Sequence, residues 1–291
     1  MKVATAAYPL DQHADWSAYS AKVNHWVAEA KANGAELAVF PEYALMEVAT
    51  LTPNALGLQQ QAEAVAERYD DIERLFCDLA RAHDLYVLLG SGPAWAGRKL
   101  VNRSSLVSPS GRAVRQDKMI MTRFERDPWG ISGRGPLRII DTPIARFGIL
   151  TCYDGEFPLL GRTLVENDVE VILVPSCTEA LSGYWRVRIG AMSRALEGQC
   201  VTVMASVVGD AAWCEAVAKN TGAGGVFCPP DNGFPGTGVL AIGGMNEPGW
   251  VYADVDIENI RHVRADGHVL NRLHWSEQSE ALKTVETCRL V

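Results

Sequence analysis

The sequence predicts an α/β fold, and two observations support this prediction. Short apolar runs that are typical of buried strands, such as Leu37–Phe40, recur along the chain and alternate with longer amphipathic segments. The segment Gly183–Gly198 shows the second pattern, because large apolar residues recur in it every three or four positions. These residues are Trp185, Ile189, Met192 and Leu196, and we interpret them as a stripe that faces the core. Helices of this kind can cover the faces of a sheet.

The predicted elements follow one another along the whole chain. The strands are Lys2–Ala7, Leu37–Phe40, Tyr86–Leu89, Leu100–Val107, Arg146–Thr151, Val171–Val174, Val201–Ser206, Val239–Ile242 and Val251–Val255. The helices are Ala18–Asn33, Ala62–His83, Pro158–Asn167, Gly183–Gly198 and Ile257–His262. Proline is well tolerated in the first turn of a helix, which places the start of the third helix at Pro158.

The composition predicts a single globular domain. The 291 residues are 48% hydrophobic and 21% charged, which is ordinary for a globular protein. No Pro/Ser-rich linker, repeat or shift in composition divides the chain. We therefore expect one domain over residues 1–291, in which residues 257–291 form a C-terminal extension or tail.

The charge and the apolar segments bear on partners and location. A net charge of −8 without a basic cluster argues against nucleic-acid binding. The longest apolar stretches, such as Val201–Val208, are too short to span a bilayer, so we expect no membrane partner. The chain opens directly as a strand, and its seven cysteines show no metal-type spacing. We therefore expect a cytoplasmic protein with reduced thiols and no metal site.

The most informative segment is the one around Cys152. The apolar run Ile149–Leu150 predicts the end of a buried strand, and the acidic, glycine-containing turn after it leads to Pro158. A cysteine on such a strand-to-helix elbow is expected to be exposed at the sheet edge. It is also expected to lie near backbone N–H groups, and both conditions favour a thiolate.

Two further residues follow predicted strands in the same way. Glu42 comes two residues after the end of Leu37–Phe40, and Lys118 comes after the polar–apolar alternation of Ala113 to Asp117. Side chains at strand ends of an α/β chain can converge on one site. We therefore expect Glu42 and Lys118 to lie close to Cys152.

Three motifs carry a resemblance to a known family. They are Phe40-Pro41-Glu42, Asp117-Lys118 and the run Cys152-Tyr153-Asp154-Gly155-Glu156-Phe157-Pro158. The Glu, the Lys and the Cys are spaced by 76 and 34 positions, and in this order and spacing the chain resembles the nitrilase superfamily of carbon–nitrogen hydrolases. The resemblance implies a four-layer αββα sandwich. It also implies a homodimer or higher homo-oligomer that forms through helices near the nucleophile.

The same residue types account for amide hydrolysis. Cys152 would attack the carbonyl carbon, and Glu42 would act as general base and then as general acid. Lys118 would stabilise the oxyanion together with the backbone N–H of Tyr153, and a thioester on Cys152 would then be opened by water. No metal or organic cofactor is needed. Glu125 is our candidate for a carboxylate that supports Lys118, and its alternative is a solvated loop carboxylate.

The substrate is less well defined by the sequence. We expect hydrolysis of a small carboxamide to an acid and ammonia. Nitrile hydrolysis, carbamoyl cleavage and acyl transfer use the same triad and stay open, and a catalytically silent binding protein is the alternative outside the enzymes. Three arginines of one helix, Arg186, Arg188 and Arg194, are either salt-bridge partners or contacts for an acidic substrate group. The candidate substrate-binding residues are Tyr43, Trp129, Tyr153, Thr178, Glu179, Tyr184 and Trp185.

Overall fold

The computed structural model describes residues 1–52, 57–133 and 135–290, and it is a mixed α/β protein. Its strands are β1 (Lys2–Pro9), β2 (Leu37–Val39), β3 (Tyr86–Ala96), β4 (Lys99–Val107), β5 (Ala113–Asp117), β6 (Ile140–Asp141), β7 (Arg146–Ile149), β8 (Val171–Ser176), β9 (Val201–Asp210), β10 (Lys219–Asn220), β11 (Gly225–Phe227), β12 (Val239–Ile242) and β13 (Gly249–Asp254). Its helices are α1 (Trp16–Ala32), α2 (Leu58–Glu67), α3 (Tyr69–His83), α4 (Arg123–Arg126), α5 (Pro158–Glu166), α6 (Leu181–Gly198), α7 (Ile257–Asp266), α8 (Asn271–His274) and α9 (Glu277–Ala281).

The strands form two halves that meet at one short pairing. The order across them is β5-β4-β3-β2-β1-β9-β8-β7-β6. Strands β1, β2 and β3 are parallel, as are β7, β8 and β9, whereas β4 and β5 extend the first half as antiparallel hairpins. The pairing between the halves involves only the end of β1, where Ala7–Pro9 lies beside Ser206–Val208 of β9.

Three apolar layers separate four structural layers. Side chains alternate between the two faces of a strand, so each central strand contributes to two layers. In β8, for example, Val171 and Leu173 pack against the other half-sheet, while Ile172 and Val174 pack under α5 and α6. The third layer lies between α1, α3 and the first half-sheet. This arrangement confirms the predicted αββα class.

One predicted helix is two helices in the structure. The predicted segment Ala62–His83 is divided at Arg68, whose φ of −101° and ψ of 2° fall outside the α-helical range. The first of the two helices, α2, begins at Leu58, before the predicted start at Ala62. Neither a proline nor a glycine marks this break. Both helices pack on β3, but α2 also contacts the segment after β2 whereas α3 also contacts α1.

The predicted core stripe of α6 was assigned to the wrong face. Trp185 is 44% exposed and Ile189 is 58% exposed, and Leu196 is also at the surface. The buried face mixes small residues such as Gly190 with larger ones such as Tyr184, and Gly190 lies where α6 approaches the elbow after β7 very closely. A Cβ on Gly190 would lie 2.9 Å from the Gly155 carbonyl oxygen. Met192, the fourth residue of the predicted stripe, is partly buried and packs against the core beneath α6.

The segment after β13 packs onto the C-terminal end of α6. Ile260 and Val263 of α7 are fully buried. The side-chain amide of the buried Gln199 donates to the carbonyl oxygens of Val263 and Val269 at 2.8 and 2.9 Å. No helix in the described part of the chain is long and apolar enough to cross a membrane.

Candidate active site

Glu42 lies two residues beyond the last hydrogen bond of the β2 edge. The Phe40 N–H still donates to the Leu88 carbonyl at 2.9 Å, and Pro41 cannot donate a further one. Tyr43 then takes a left-handed conformation with φ of 58°, and a 3₁₀ helix begins at Ala44. This turn leaves the Glu42 side chain buried in the interior.

Lys118 follows β5 in the same way. Its backbone N–H donates to the Asn102 carbonyl of β4 at 2.8 Å, which continues the ladder by one residue. The backbone N–H groups of Met119 and Ile120 then donate to the carboxylate of Asp154 at 3.0 and 2.8 Å. Asp154 therefore ties the loop after Lys118 to the segment that carries the cysteine.

Cys152 begins a 3₁₀ helix, Cys152–Glu156, three residues after the end of β7. Its φ is 50°, a left-handed conformation that is uncommon for cysteine and typical of strained turns at functional sites. Pro158 is the first residue of α5, as the sequence predicts. Our expectation of an exposed cysteine was wrong, because its side chain is enclosed by the surrounding loops and Cys152 is only 6% exposed.

The charged groups form one hydrogen-bonded cluster. Lys118 Nζ donates to Glu42 Oε1 at 2.7 Å and to both carboxylate oxygens of Glu125 at 2.8 Å. The side-chain amide of Asn102 donates to Oε1 of Glu42 at 2.9 Å and to Oε1 of Glu125 at 3.3 Å. The second oxygen of Glu42 accepts from the Cys177 N–H at 3.0 Å. One buried cation is thus held between two buried carboxylates.

Glu125 lies inside this cluster and is not solvated. It accepts hydrogen bonds from the Tyr43 hydroxyl at 2.6 Å and from both the backbone N–H and the hydroxyl of Thr122 at 2.8 Å. The Thr122 hydroxyl in turn caps α4 by accepting from the Glu125 N–H. Together with Lys118, these partners satisfy every strong acceptor position of the Glu125 carboxylate.

Burial and charge give the four ionisable groups different pKa values. Burial raises the pKa of Glu42 to about 7, although the Lys118 ammonium opposes this shift. Burial would also raise the pKa of Glu125, but Lys118 and the hydrogen bonds hold it below its usual value. The two carboxylates overcome burial and raise the pKa of Lys118. Burial and the nearby Glu42 raise the pKa of the Cys152 thiol well above its usual range. The site therefore holds a neutral thiol beside a carboxyl group that titrates near neutrality.

The cluster opens into a cavity of about 500 Å³. Five of our seven candidate substrate-binding residues line it, namely Tyr43, Trp129, Tyr153, Thr178 and Glu179. The other two lie elsewhere. Tyr184 is buried in the layer beneath α6, and Trp185 lies on the exposed face of α6 beside the guanidinium of Arg188.

Two contributors to the site were not identified from the sequence. Asn102 is fully buried in β4, and its only available signal was an amide within an otherwise strand-like segment. Cys177 contributes a backbone N–H, and its carbonyl oxygen lies 3.9 Å from the Cys152 sulfur. A backbone contribution of this kind has no signature in residue types.

Comparison with known proteins identifies the family of the chain. The carbon–nitrogen hydrolase family model matches residues 2–265. The chain is 30% identical over 272 residues to the probable hydrolase YhcX of Bacillus subtilis, and the match covers 92% of this chain and 52% of YhcX. The chain therefore spans about half the length of that relative.

Two solved structures share the fold. Nit3 of Saccharomyces cerevisiae, from branch 10 of the nitrilase superfamily, aligns with a TM-score of 0.71 and 19% identity over 91% of this chain and 93% of its own. A variant of the amidase from Nesterenkonia sp. AN1, which shows addition of acrylamide at its active-site cysteine, aligns with a TM-score of 0.70 and 20% identity over 95% and 99%. From the family match over most of its length, together with this fold, the chain belongs to the carbon–nitrogen hydrolases of the nitrilase superfamily.

Proposed function

We propose that this protein hydrolyses a small carboxamide to a carboxylic acid and ammonia through a thioester on Cys152. The observation that carries the proposal is the buried cluster in which a carboxylate with a near-neutral pKa, an ammonium and a thiol share one cavity. Amide hydrolysis needs a nucleophile, a proton carrier and a stabilised oxyanion, and the cluster contains a group for each.

In the acylation step, ionised Glu42 accepts the thiol proton as the sulfur of Cys152 attacks the carbonyl carbon. The C–S bond forms, and the carbonyl electron pair moves to oxygen. Glu42 then gives the proton to the nitrogen, the C–N bond breaks and ammonia leaves. Because the pKa of Glu42 is about 7, this carboxyl group can both accept and return a proton at neutral pH.

Lys118 supplies the positive charge, and its contacts indicate when it acts. Three carboxylate oxygens lie within 2.8 Å of Nζ, one for each of its hydrogens. Proton transfer from Cys152 neutralises Glu42 and weakens one of these bonds just as the oxyanion forms. One N–H of Lys118 then becomes available to the oxyanion, and we assign the backbone N–H of Tyr153 as the second donor.

The thioester is opened by reversal of these roles. Glu42, ionised again after ammonia has left, takes a proton from a water molecule that attacks the acyl carbon. The C–S bond breaks, the proton returns to the sulfur and the acid is released. Glu125 stays ionised throughout, since its pKa is held low, and keeps Lys118 in position.

The experiment that tests this proposal measures ammonia release from a panel of amides, nitriles and N-carbamoyl compounds. We expect turnover of primary amides and, after rapid quenching, a Cys152 peptide whose mass is increased by that of the acyl group. The Cys152→Ala variant should lose at least about four orders of magnitude in turnover while its thermal unfolding changes little. Turnover of only nitriles or carbamoyl compounds, or near-normal turnover by Cys152→Ala, would overturn the proposal.

We also propose that the protein forms at least a homodimer through α5 and α6. These two helices pack side by side and leave large apolar side chains at the surface. The exposed residues are Leu159, Leu181, Trp185, Ile189 and Leu196. Large apolar side chains exposed together on two packed helices are typical of a protein–protein contact, and a second copy with the same surface is self-complementary to it.

We propose a cytoplasmic location, which rests on the thiols. All seven cysteines are free, and four of them, including Cys200 and Cys214, are buried. Retained free thiols in a chain of this size are typical of a reducing compartment.

A further inference from the structure

Asp154 is a buried carboxylate beside the nucleophile that takes no part in the proposed proton transfers. It lies in the 3₁₀ helix that Cys152 begins, and it is only 1% exposed. Its Oδ2 accepts from the Met119 N–H at 3.0 Å, and its Oδ1 accepts from the Ile120 N–H at 2.8 Å. Within residues 1–52, 57–133 and 135–290, no cationic side chain lies within 4.0 Å of this carboxylate. Backbone N–H groups are therefore its partners, one for each oxygen.

This carboxylate links the two segments that carry the donors we assign to the oxyanion. Met119 directly follows Lys118 in the chain, and Asp154 directly follows Tyr153. Lys118 comes after β5 and Tyr153 comes after β7, and these strands belong to different halves of the strand order. Two donors can act on one oxygen only when the spacing between them is fixed. The pair of hydrogen bonds to Asp154 spans the gap between the two segments directly.

The link depends on the charge of Asp154. Burial raises the pKa of Asp154 to about 6, although its two N–H partners and the Lys118 ammonium oppose this shift, and Glu125 of α4 adds to it. Protonation turns one of the two acceptor oxygens into an O–H group, which pairs poorly with a backbone N–H. One of the two hydrogen bonds is therefore lost as the pH falls through about 6.

The other charged groups around this 3₁₀ helix are engaged elsewhere. Glu156 pairs with Arg186 of α6 at 3.1 Å, and Arg194 of α6 donates to a backbone carbonyl oxygen of the elbow at 2.9 Å. Arg162 of α5 pairs with a carboxylate of its own helix at 2.8 Å, and β8 has no ionisable side chain. The titration of Asp154 is therefore governed by burial, by its N–H partners and by the ion pair of Lys118 and Glu125.

We propose that ionised Asp154 is a positioning residue, which holds Lys118 and the Tyr153 N–H at the spacing that the oxyanion requires. The inference rests on the proposed amide hydrolysis. Asp154 does not touch the reacting atoms, so its loss should lower kcat and leave KM nearly unchanged. The reaction then needs two ionised carboxyl groups, Glu42 to accept the thiol proton and Asp154 to keep the donors in place.

The test compares wild-type protein and Asp154→Asn with one neutral primary amide over a range of pH, with folding checked by circular dichroism. Asparagine keeps the shape and one acceptor oxygen, so it imitates the protonated acid at every pH. At pH 8 the variant should lose about 100-fold in kcat, while KM changes by less than about 3-fold.

The slope of the acidic limb separates positioning from a merely structural role. Below about pH 6, log kcat of the wild-type protein should fall by nearly two units per pH unit, because Glu42 and Asp154 both become protonated. In Asp154→Asn the slope should stay at about one. A change in the pKa of Glu42 alone would move the limb and leave its slope at one.

The link itself can be followed without catalysis. The amide resonances of Met119 and Ile120 should titrate together near pH 6 in the wild-type protein and should not do so in Asp154→Asn. The matched control is Glu170→Gln. Glu170 is also a buried carboxylate that accepts a backbone N–H, from Arg146 at 2.9 Å, but it lies at the opposite end of β7. This variant should keep the wild-type kcat and slope.

Three results would overturn the inference. They are a slope of one in the wild-type protein below pH 6, amide resonances of Met119 and Ile120 that do not titrate, and a kcat of Asp154→Asn within about 3-fold of wild type. The first two need no variant, so they decide the matter even if Asp154→Asn fails to fold. Failure of the wild-type protein to release ammonia from any amide would instead overturn the proposed activity, and the resonances would still test the link.

Discussion

Glu42 has a near-neutral pKa because it is buried and because Glu125 lies across Lys118 from it. Ionised Glu42 must accept the thiol proton, so kcat/KM should rise as pH increases through about 7 and then level off. In Glu125→Gln the neighbouring negative charge is absent, and Lys118 is left with Glu42 as its only anionic partner. Both changes lower the pKa of Glu42.

The prediction is that the acidic limb of the kcat/KM profile moves to lower pH in Glu125→Gln, by about one unit. The maximal rate should fall, because the uncharged glutamine can keep at most one of the two hydrogen bonds that Lys118 donates to Glu125. Profiles of both proteins with one neutral amide are the required measurement. A limb that stays in place, or that moves to higher pH, would show that Glu42 is not the group that titrates.

Removal of the Asn102 side chain should shift the pKa of Glu42 in the opposite direction, to a higher value. Its amide nitrogen has two hydrogens, and each donates to a different carboxylate, while its Oδ1 is buried without a partner in the described structure. Loss of these donors in Asn102→Leu, which keeps the volume, should raise the pKa of Glu42. A hydrogen bond to a charged group contributes about 1.5–3 kcal/mol, so activity at pH 7 should fall by at least about 10-fold.

The matched control is Ser104→Ala. Ser104 lies two residues along the same strand and is equally buried, but its hydroxyl has no partner among the described residues. The acidic limb should move to higher pH in Asn102→Leu and stay in place in Ser104→Ala. If Asn102→Leu lowered stability and left the pH profile unchanged, Asn102 would be a structural residue and not one that positions the acids.

These residues also show how much of the site can be read from the sequence. Glu42 and Cys152 follow apolar strands, and Lys118 follows the polar–apolar β5, which runs in the same direction as β2 because two antiparallel pairings separate it from β3. The three residues therefore lie at the same ends of their strands, and their convergence could be predicted. Asn102 could not be placed, because its contacts depend on the register between β4 and β5. The burial of Cys152 was missed for a similar reason, since distant loops cover it.

At the scale of elements, α6 shows why helical periodicity alone does not identify the core face. Both faces of the helix contain apolar residues, and the larger ones form the more obvious stripe. The buried face is instead selected by the space available, since Gly190 lies directly against the elbow. Close approach requires small side chains, and the larger Trp185 and Ile189 are thereby left for a contact outside the protomer.

The dimer proposal predicts that Ile189→Glu disrupts association. A buried charge at the centre of an apolar contact has no partner, so the molecular mass in solution should fall from that of a dimer toward 31.7 kDa. Light scattering coupled to gel filtration measures this directly. Ile242→Glu is the control, because Ile242 is an exposed isoleucine of β12 and lies outside α5 and α6. A monomeric wild-type protein, or an Ile189→Glu variant of unchanged mass, would exclude this surface.

At the scale of the whole molecule, the alternation of strands and helices was predictable, whereas several connections were not. Strands β6, β10 and β11 have two or three residues each, and such short runs carry no periodicity of their own. They exist because longer strands offer them backbone partners; β11, for instance, lies between β9 and β12. The end of β3 was also missed, because Gly90 to Ala96 is held by pairing with β4.

The C-terminal residues form two parts that differ in burial. Ile260 and Val263 are fully buried and Trp275 is nearly so, whereas residues 276–290 are exposed. Burial of one large apolar side chain contributes about 1.5–3 kcal/mol. We therefore propose that the folded domain extends to Trp275 and that only the residues after it form a tail.

Two truncations test this boundary. A chain that ends at Ser276 should unfold within about 2 °C of the full-length protein and keep its turnover. A chain that ends at Asp256 loses three buried side chains and the carbonyl partners of Gln199, so its midpoint should fall by about 10 °C or more. Thermal unfolding followed by circular dichroism, with turnover measured at 25 °C, separates the outcomes. Equal midpoints for the two truncations would show that the folded domain ends before α7. The packing of α7 against the end of α6 would then make no contribution to the stability of the protein.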